Sequence, residues 1–123
     1  MNSSLPAFPK LARDISARLS VLRDNLPSTM QGFRTLSAGA MEEGAISART
    51  KELMALALGI AAHCDGCIAF HVKALVSLGA TLSEIEETVA VALYMGGGPS
   101  LMYGANALLA YDQFTAHRSA EAA

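Results

Sequence analysis

Along the chain the apolar positions recur at helical spacing, and no stretch of useful length alternates as a strand would. Leu11, Ile15, Leu19, Leu22 and Leu26 return every three or four residues, with Arg13, Asp14, Arg18, Arg23 and Asp24 between them. That is the one-sided pattern of an amphipathic helix, ending near Pro27. Ser28-Thr29-Met30-Gln31 has the S-x-x-Q form of a capping box and predicts a second helix running to about Glu43, where Gly44 stops it. A third helix, from about Ser47 to Ala62, is polar only near its beginning. Beyond Glu52 it is apolar nearly all round, as in a helix buried on several sides. A fourth opens at or just before Cys64 and closes near Leu78, with Gly79 placed for a left-handed C-terminal residue. Ser83-Glu84-Ile85-Glu86 reads as another capping box, and Glu84, Glu86 and Glu87 complement the positive end of a fifth helix. Gly96-Gly97-Gly98-Pro99 then turns the chain into a last helix reaching roughly Phe114, and His117 to Ala123 is expected to fray. The fold expected is all-α, a compact bundle of about six helices.

Composition narrows the function classes. A chain of 123 residues fits one domain, 1–123, that can bury a core without disulfide or metal staples. With 52% hydrophobic and only 16% charged residues, it is more apolar than a soluble monomer needs, so a homo-oligomer is expected. A net charge of -2 gives no electrostatic footprint for nucleic acid or an anionic membrane. The start, MNSSLPAFPKLARD, lacks the basic region and apolar run of a secretory signal, so a cytoplasmic location is expected. In that reducing compartment two cysteines are more often catalytic, sensing or metal-binding than structural. Val89 to Tyr111 is uncharged and long enough to span a bilayer. The glycine-proline break in its middle and Asn106 in its second half make two buried helices the better reading.

The side chains with chemistry gather in one stretch, Glu52 to His71, with the pattern E-x11-C-x2-C-x3-H on Glu52, Cys64, Cys67 and His71. On a helix turning about 100° per residue, Cys64, Cys67 and His71 fall on a stripe about 60° wide. An ordinary thiol with a pKa near 8.5 is only about 3% thiolate at pH 7, so thiol chemistry needs help. Two sources of help are visible: the free N–H groups of a helix N-terminus at the cysteines, and His71 one turn beyond Cys67. The helix terminus favours Cys64 as nucleophile, and the histidine favours Cys67. If the chain reverses near His63, the antiparallel partner of His71 is about Ala55, and Glu52 overshoots it by roughly 4–5 Å. A long side chain or a bridging water would close that gap and let Glu52 orient His71 and relay its proton.

Each reading has a plainer rival. Glu52, Cys64, Cys67 and His71 could bind zinc, but ligands at i, i+3 and i+7 of one rigid helix rarely converge, and no second CxxC or H-x3-H is present. The cysteines could be inert core residues, or a non-catalytic redox sensor or binding subunit could use the pair only to switch conformation. His63 reads as a helix-end group meeting carbonyls. The glycine run lacks the G-K-[ST] of a phosphate loop. Met41, Met54, Met95 and Met102, with Phe70, Tyr94 and Tyr103, read as core or interface, one or two tyrosines lining a pocket mouth.

The motif resembles that of the carboxymuconolactone decarboxylase family, in its alkylhydroperoxidase AhpD-like branch, over about Phe33 to Phe114. The resemblance implies an AhpD-like helical fold with the CxxC at the start of a central helix, assembled as a homotrimer or hexamer. It implies a thiol-dependent peroxidase or disulfide reductase whose candidate catalytic residues are Glu52, Cys64, Cys67 and His71. Cys67 attacks a small hydroperoxide, Cys64 resolves the sulfenic acid into a disulfide, and Glu52 with His71 relays protons. An external dithiol, often a lipoylated protein in the family, clears the disulfide; no cofactor or metal is implied. The chain departs from AhpD in being shorter and in having Gly66 where AhpD carries a histidine between its cysteines. The decarboxylase branch does not rely on this cysteine pair, which makes decarboxylation the lesser expectation.

Overall fold

The computed structural model describes residues 5–122. Among them are six helices and no strand: α1 (Phe8–Asn25), α2 (Pro27–Met41), α3 (Ala48–Ala61), α4 (Asp65–Ser77), α5 (Leu82–Gly96) and α6 (Gly98–Ala122). The fold is all-α, as the periodicity indicates. Helices α3 and α6 each pack against both α4 and α5, α1 lies across α4 and α6, and α2 touches only α1 and α3. The centre is filled by Phe8 of α1, Leu56 and Ile60 of α3, Ile68, Val72 and Leu75 of α4 and Ile85 of α5, all fully buried. At about 1.5–3 kcal/mol for each large apolar side chain removed from water, this cluster is the main source of stability.

Helix ends differ from the sequence expectation in ways local chemistry explains. Pro27 occupies the first turn of α2, and no side chain caps that end. The missing N–H of proline is one that a first turn leaves unpaired anyway, so the start moves ahead of Ser28 and the expected Ser28–Gln31 box does not form. The α2 helix stops at Met41, and the backbone is already extended at Glu42. Glu43 accepts the Ala48 N–H at 2.9 Å at the start of α3, where a carboxylate is favoured. The capping box of α5 is Thr81 with Glu84, not Ser83 with Glu86. The Ala80 N–H closes back onto Leu75 O at 2.9 Å, which ends α4 and leaves Thr81 as the first residue free to cap. Only Gly97, at φ 80°, separates α5 from α6.

Instead of stopping near Phe114 and fraying, α6 continues to Ala122. Arg118 donates to the Val76 carbonyl at the end of α4, and His117 meets Glu121 at 3.1 Å. Closer to the core, Tyr111 donates to Ala80 O at 2.9 Å, and Gln113 accepts the Phe8 N–H at 2.8 Å. The last helix thus ties down the start of α1 and the end of α4. No described helix is long and apolar enough to cross a membrane. The amphipathic α2 buries none of its residues, and Phe33 and Leu36 are 62% and 67% exposed.

Glu84 links three segments: it accepts from the Thr81 N–H at 2.8 Å and pairs with Arg49 of α3. The Thr81 backbone bond, then the Arg49 guanidinium, hold its carboxyl below the usual glutamate range. A depressed carboxylate pKa stabilises the fold above the unfolded-state pKa, and that contribution is lost as pH falls through the folded-state value. Glu84→Gln should therefore lower the thermal midpoint at pH 7, and the gap from the parent protein should shrink as pH drops below about 4. Thermal unfolding followed by circular dichroism across that range measures it, and a gap independent of pH would contradict the assignment.

Candidate active site

The site is built where α3 hands over to α4. The α3 helix ends with Ala62 N–H to Leu58 O at 2.9 Å, His63 N–H to Ile60 O at 3.0 Å and Cys64 N–H to Gly59 O at 3.0 Å. This is a Schellman closure, whose left-handed position usually holds glycine. Gly79 takes that position at the end of α4 with φ 76°, but at the end of α3 it is held by His63 with φ 57°. A side chain there costs about 1–2 kcal/mol, and such outliers cluster at functional sites. The His63 ring does not fold back on the helix end as the sequence suggests. It lies flat on Tyr103 of α6, with centroids 4.7 Å apart and planes 5° from parallel.

Cys64 is the N-cap of α4, in extended conformation, and its sulfur accepts the Cys67 N–H at 3.1 Å. The two cysteines are joined in a disulfide, a bond that a CxxC at a helix start makes without moving the backbone far, with Cα atoms 5.3 Å apart. Both are half-buried.

Glu52 and His71 meet directly, Oε1 to Nδ1 at 2.6 Å, with side chains 19% and 31% exposed. No water is needed to span the expected gap. The register comes from Gly59, where an added Cβ would stand 3.0 Å from the Cys67 Cβ. Pairing 59 with 67 puts 55 opposite 71, as the sequence suggests. Glu52 lies two turns before Gly59 on the same stripe, so it faces α4, and the close approach of the axes lets its side chain cover the axial offset. An ionised Glu52 can only accept, so it orients the imidazole through Nδ1–H and leaves Nε2 for chemistry.

The structure therefore brings together Cys64 with Cys67 and Glu52 with His71, and puts His71 one helical turn beyond Cys67. Three contributors escaped the sequence reading. Gly59 was signalled only as a glycine in an otherwise alanine- and leucine-rich helix. The His63–Tyr103 stack had no local signal. Asn106, which donates to Asp65 Oδ1 at 3.0 Å, stood out only as a polar residue in an uncharged stretch. Gly66 sits under α1, where an added Cβ would be 2.9 Å from Ile15 Cδ1, so α1 closes over the turn at the position where AhpD has an imidazole. The cleft of about 510 Å³ between Val76, Thr81, Tyr111 and Arg118 is at the opposite end of α4 and holds none of the four motif residues.

The sequence profile of the carboxymuconolactone decarboxylase family matches residues 27–110, a span that contains the whole motif. The chain belongs to the carboxymuconolactone decarboxylase family. A crystal structure of the apo form of a carboxymuconolactone decarboxylase family protein from Legionella pneumophila superposes with a TM-score of 0.86 at 47% identity, covering 88% of this chain and 96% of that one. An uncharacterised protein of Cupriavidus necator is 33% identical over 103 residues, 84% of this chain and 91% of its own length. Uncharacterised protein 4 in the cox locus of Paracoccus denitrificans is 36% identical over 81 residues, covering 66% and 73% respectively. Within the family, the CxxC pair is consistent with the AhpD-like branch.

The packing at Gly59 makes a direct prediction. Gly59→Val pushes branched carbon into Cys67 and should lower stability by about 1–3 kcal/mol, the usual cost of overpacking. Denaturant unfolding of the purified variant checks it, and an unchanged midpoint would mean the two helices do not rely on this approach.

Proposed function

We propose that the protein is a thiol-dependent peroxidase of the AhpD-like kind, reducing small hydroperoxides through Cys64 and Cys67. The observation that carries this reading is the direct Glu52–His71 pair one turn from a cysteine pair able to close as a disulfide. In the reduced protein the Cys67 thiolate attacks the outer peroxide oxygen and the O–O bond breaks. Cys67 becomes a sulfenic acid, and the leaving alkoxide takes a proton from the His71 imidazolium held by Glu52, departing as an alcohol. Cys64 then attacks the sulfenic sulfur, water leaves, and the disulfide forms. An external dithiol, by the family resemblance a lipoylated protein, returns two electrons and two protons by exchange at the half-buried disulfide. Reduction of a partner disulfide would run the exchange steps in reverse. No cofactor beyond the cysteine pair enters the cycle, and a cytoplasmic setting supplies the reductant.

Assembly is part of the proposal. Phe33 and Leu36 on α2, Leu58 on α3 and Tyr94 and Met95 on α5 are between 62% and 84% exposed. Such large apolar side chains are explained by burial against further copies of the chain as a homotrimer or hexamer. Sedimentation equilibrium should give the mass of one of those assemblies, and a monomer at micromolar concentration would contradict it.

With peroxide in excess and a regenerating dithiol, the protein should consume peroxide steadily. Cys67→Ser should abolish turnover, and His71→Gln or Glu52→Gln should slow it by about 10²-fold or more, the usual contribution of a positioned proton donor, with helical content unchanged. A single stoichiometric oxidation of the parent protein would instead favour a redox sensor. Parent-like rates in Cys67→Ser would overturn the nucleophile assignment.

A further inference from the structure

The last helix holds Cys64 from both sides. The residue before it, His63, is stacked on Tyr103, and the residue after it, Asp65, is hydrogen-bonded by Asn106 at 3.0 Å. Tyr103 and Asn106 are three residues apart and share one face of α6. The two cysteines are otherwise held unequally. Cys67 lies within α4 and packs against the backbone of α3 at Gly59. Cys64 is outside the helical dihedrals, at φ -116° and ψ 95°, directly after a residue in the strained left-handed region. Helix ends fray, and once the cross-link is cut Cys64 keeps only its backbone bond to Gly59 O at 3.0 Å and its cap contacts. Both of its neighbours are tied in addition to a different helix.

We propose that Tyr103 and Asn106 are positioning residues that keep Cys64 within bonding range of Cys67 after reduction, and so set the dithiol–disulfide equilibrium of the pair. Two thiols already held together close with a higher effective concentration than two that move independently. The two α6 contacts therefore favour the disulfide and make the pair a stronger reductant. The balance is simple: oxidised glutathione accepts two electrons and two protons from the dithiol and becomes two glutathione thiols, while the Cys64–Cys67 bond forms. The inference rests on the function proposed above only in requiring the pair to cycle between dithiol and disulfide.

The test is the equilibrium of the full-length protein in glutathione redox buffers, read by counting free thiols after acid quenching. The double variant Tyr103→Leu, Asn106→Ala should form its disulfide about 10-fold less favourably, a potential about 30 mV less negative. Tyr103→Phe keeps the stacked ring and should stay at the parental potential. If the double variant unfolds, Asn106→Ala alone should still shift the equilibrium about 3-fold. A folded double variant, or Asn106→Ala alone, with the parental equilibrium would overturn the proposal. The measurement uses no peroxide turnover, so a shifted equilibrium in a protein that never turns over peroxide would leave this inference standing and remove the peroxidase reading.

Discussion

The close approach of α3 and α4 at Gly59 is the constraint on which the remaining geometry depends. With only hydrogen at that position, the backbone of α3 comes against the Cys67 Cβ, and the register between the two helices is fixed. The same register brings Glu52 onto the face opposite His71 and places their polar atoms 2.6 Å apart. It also puts the end of α3 beside the start of α4, leaving only Ala62, His63 and Cys64 to reverse the chain. One missing methyl group thus positions both the disulfide and the carboxylate–imidazole pair. Large apolar side chains behind the contact, Leu56, Ile60, Ile68 and Val72, are fully buried and hold the helices to it.

Charge is arranged unevenly around the sulfurs. The first turn of α4 offers unpaired N–H groups, and the Cys67 N–H points at the Cys64 sulfur. Asp65 supports the same helix end by its charge, yet as an anion between two cysteines it opposes thiolate formation. Its bond to Asn106 gives that carboxylate a partner away from the backbone of the turn. The fold places Glu52, Cys67 and His71 on helices and leaves Cys64 at the cap of α4.

Much of this was legible in the residues, and the exceptions share a cause. Helical periodicity, the Ser47 and Gly79 helix ends and the E-x11-C-x2-C-x3-H spacing are local signals, and the helices and the motif follow them. The antiparallel register was also within reach, because a short reversal near His63 forces 55 opposite 71. Contacts made from a distance were not. Whether Glu52 reaches His71 depends on how near the helix axes come, which Gly59 decides. The left-handed His63 stacks on Tyr103, forty residues later. Ser28 and Ser83 satisfied the capping pattern, but Pro27 and Thr81 each lie closer to the true helix start. The end of α6 looked free because its tail is polar, yet Arg118 reaches the last carbonyls of α4.

The central claim is that these surroundings make a cysteine reactive, and the thiol titration of the reduced protein tests it most directly. Followed by thiolate absorbance from pH 4 to 10, the account predicts one thiol ionised at neutral pH, well below the ordinary value of about 8.5, with a titration that changes shape when His71 is replaced by glutamine. Two thiols ionising together near 8.5, indifferent to His71, would contradict it.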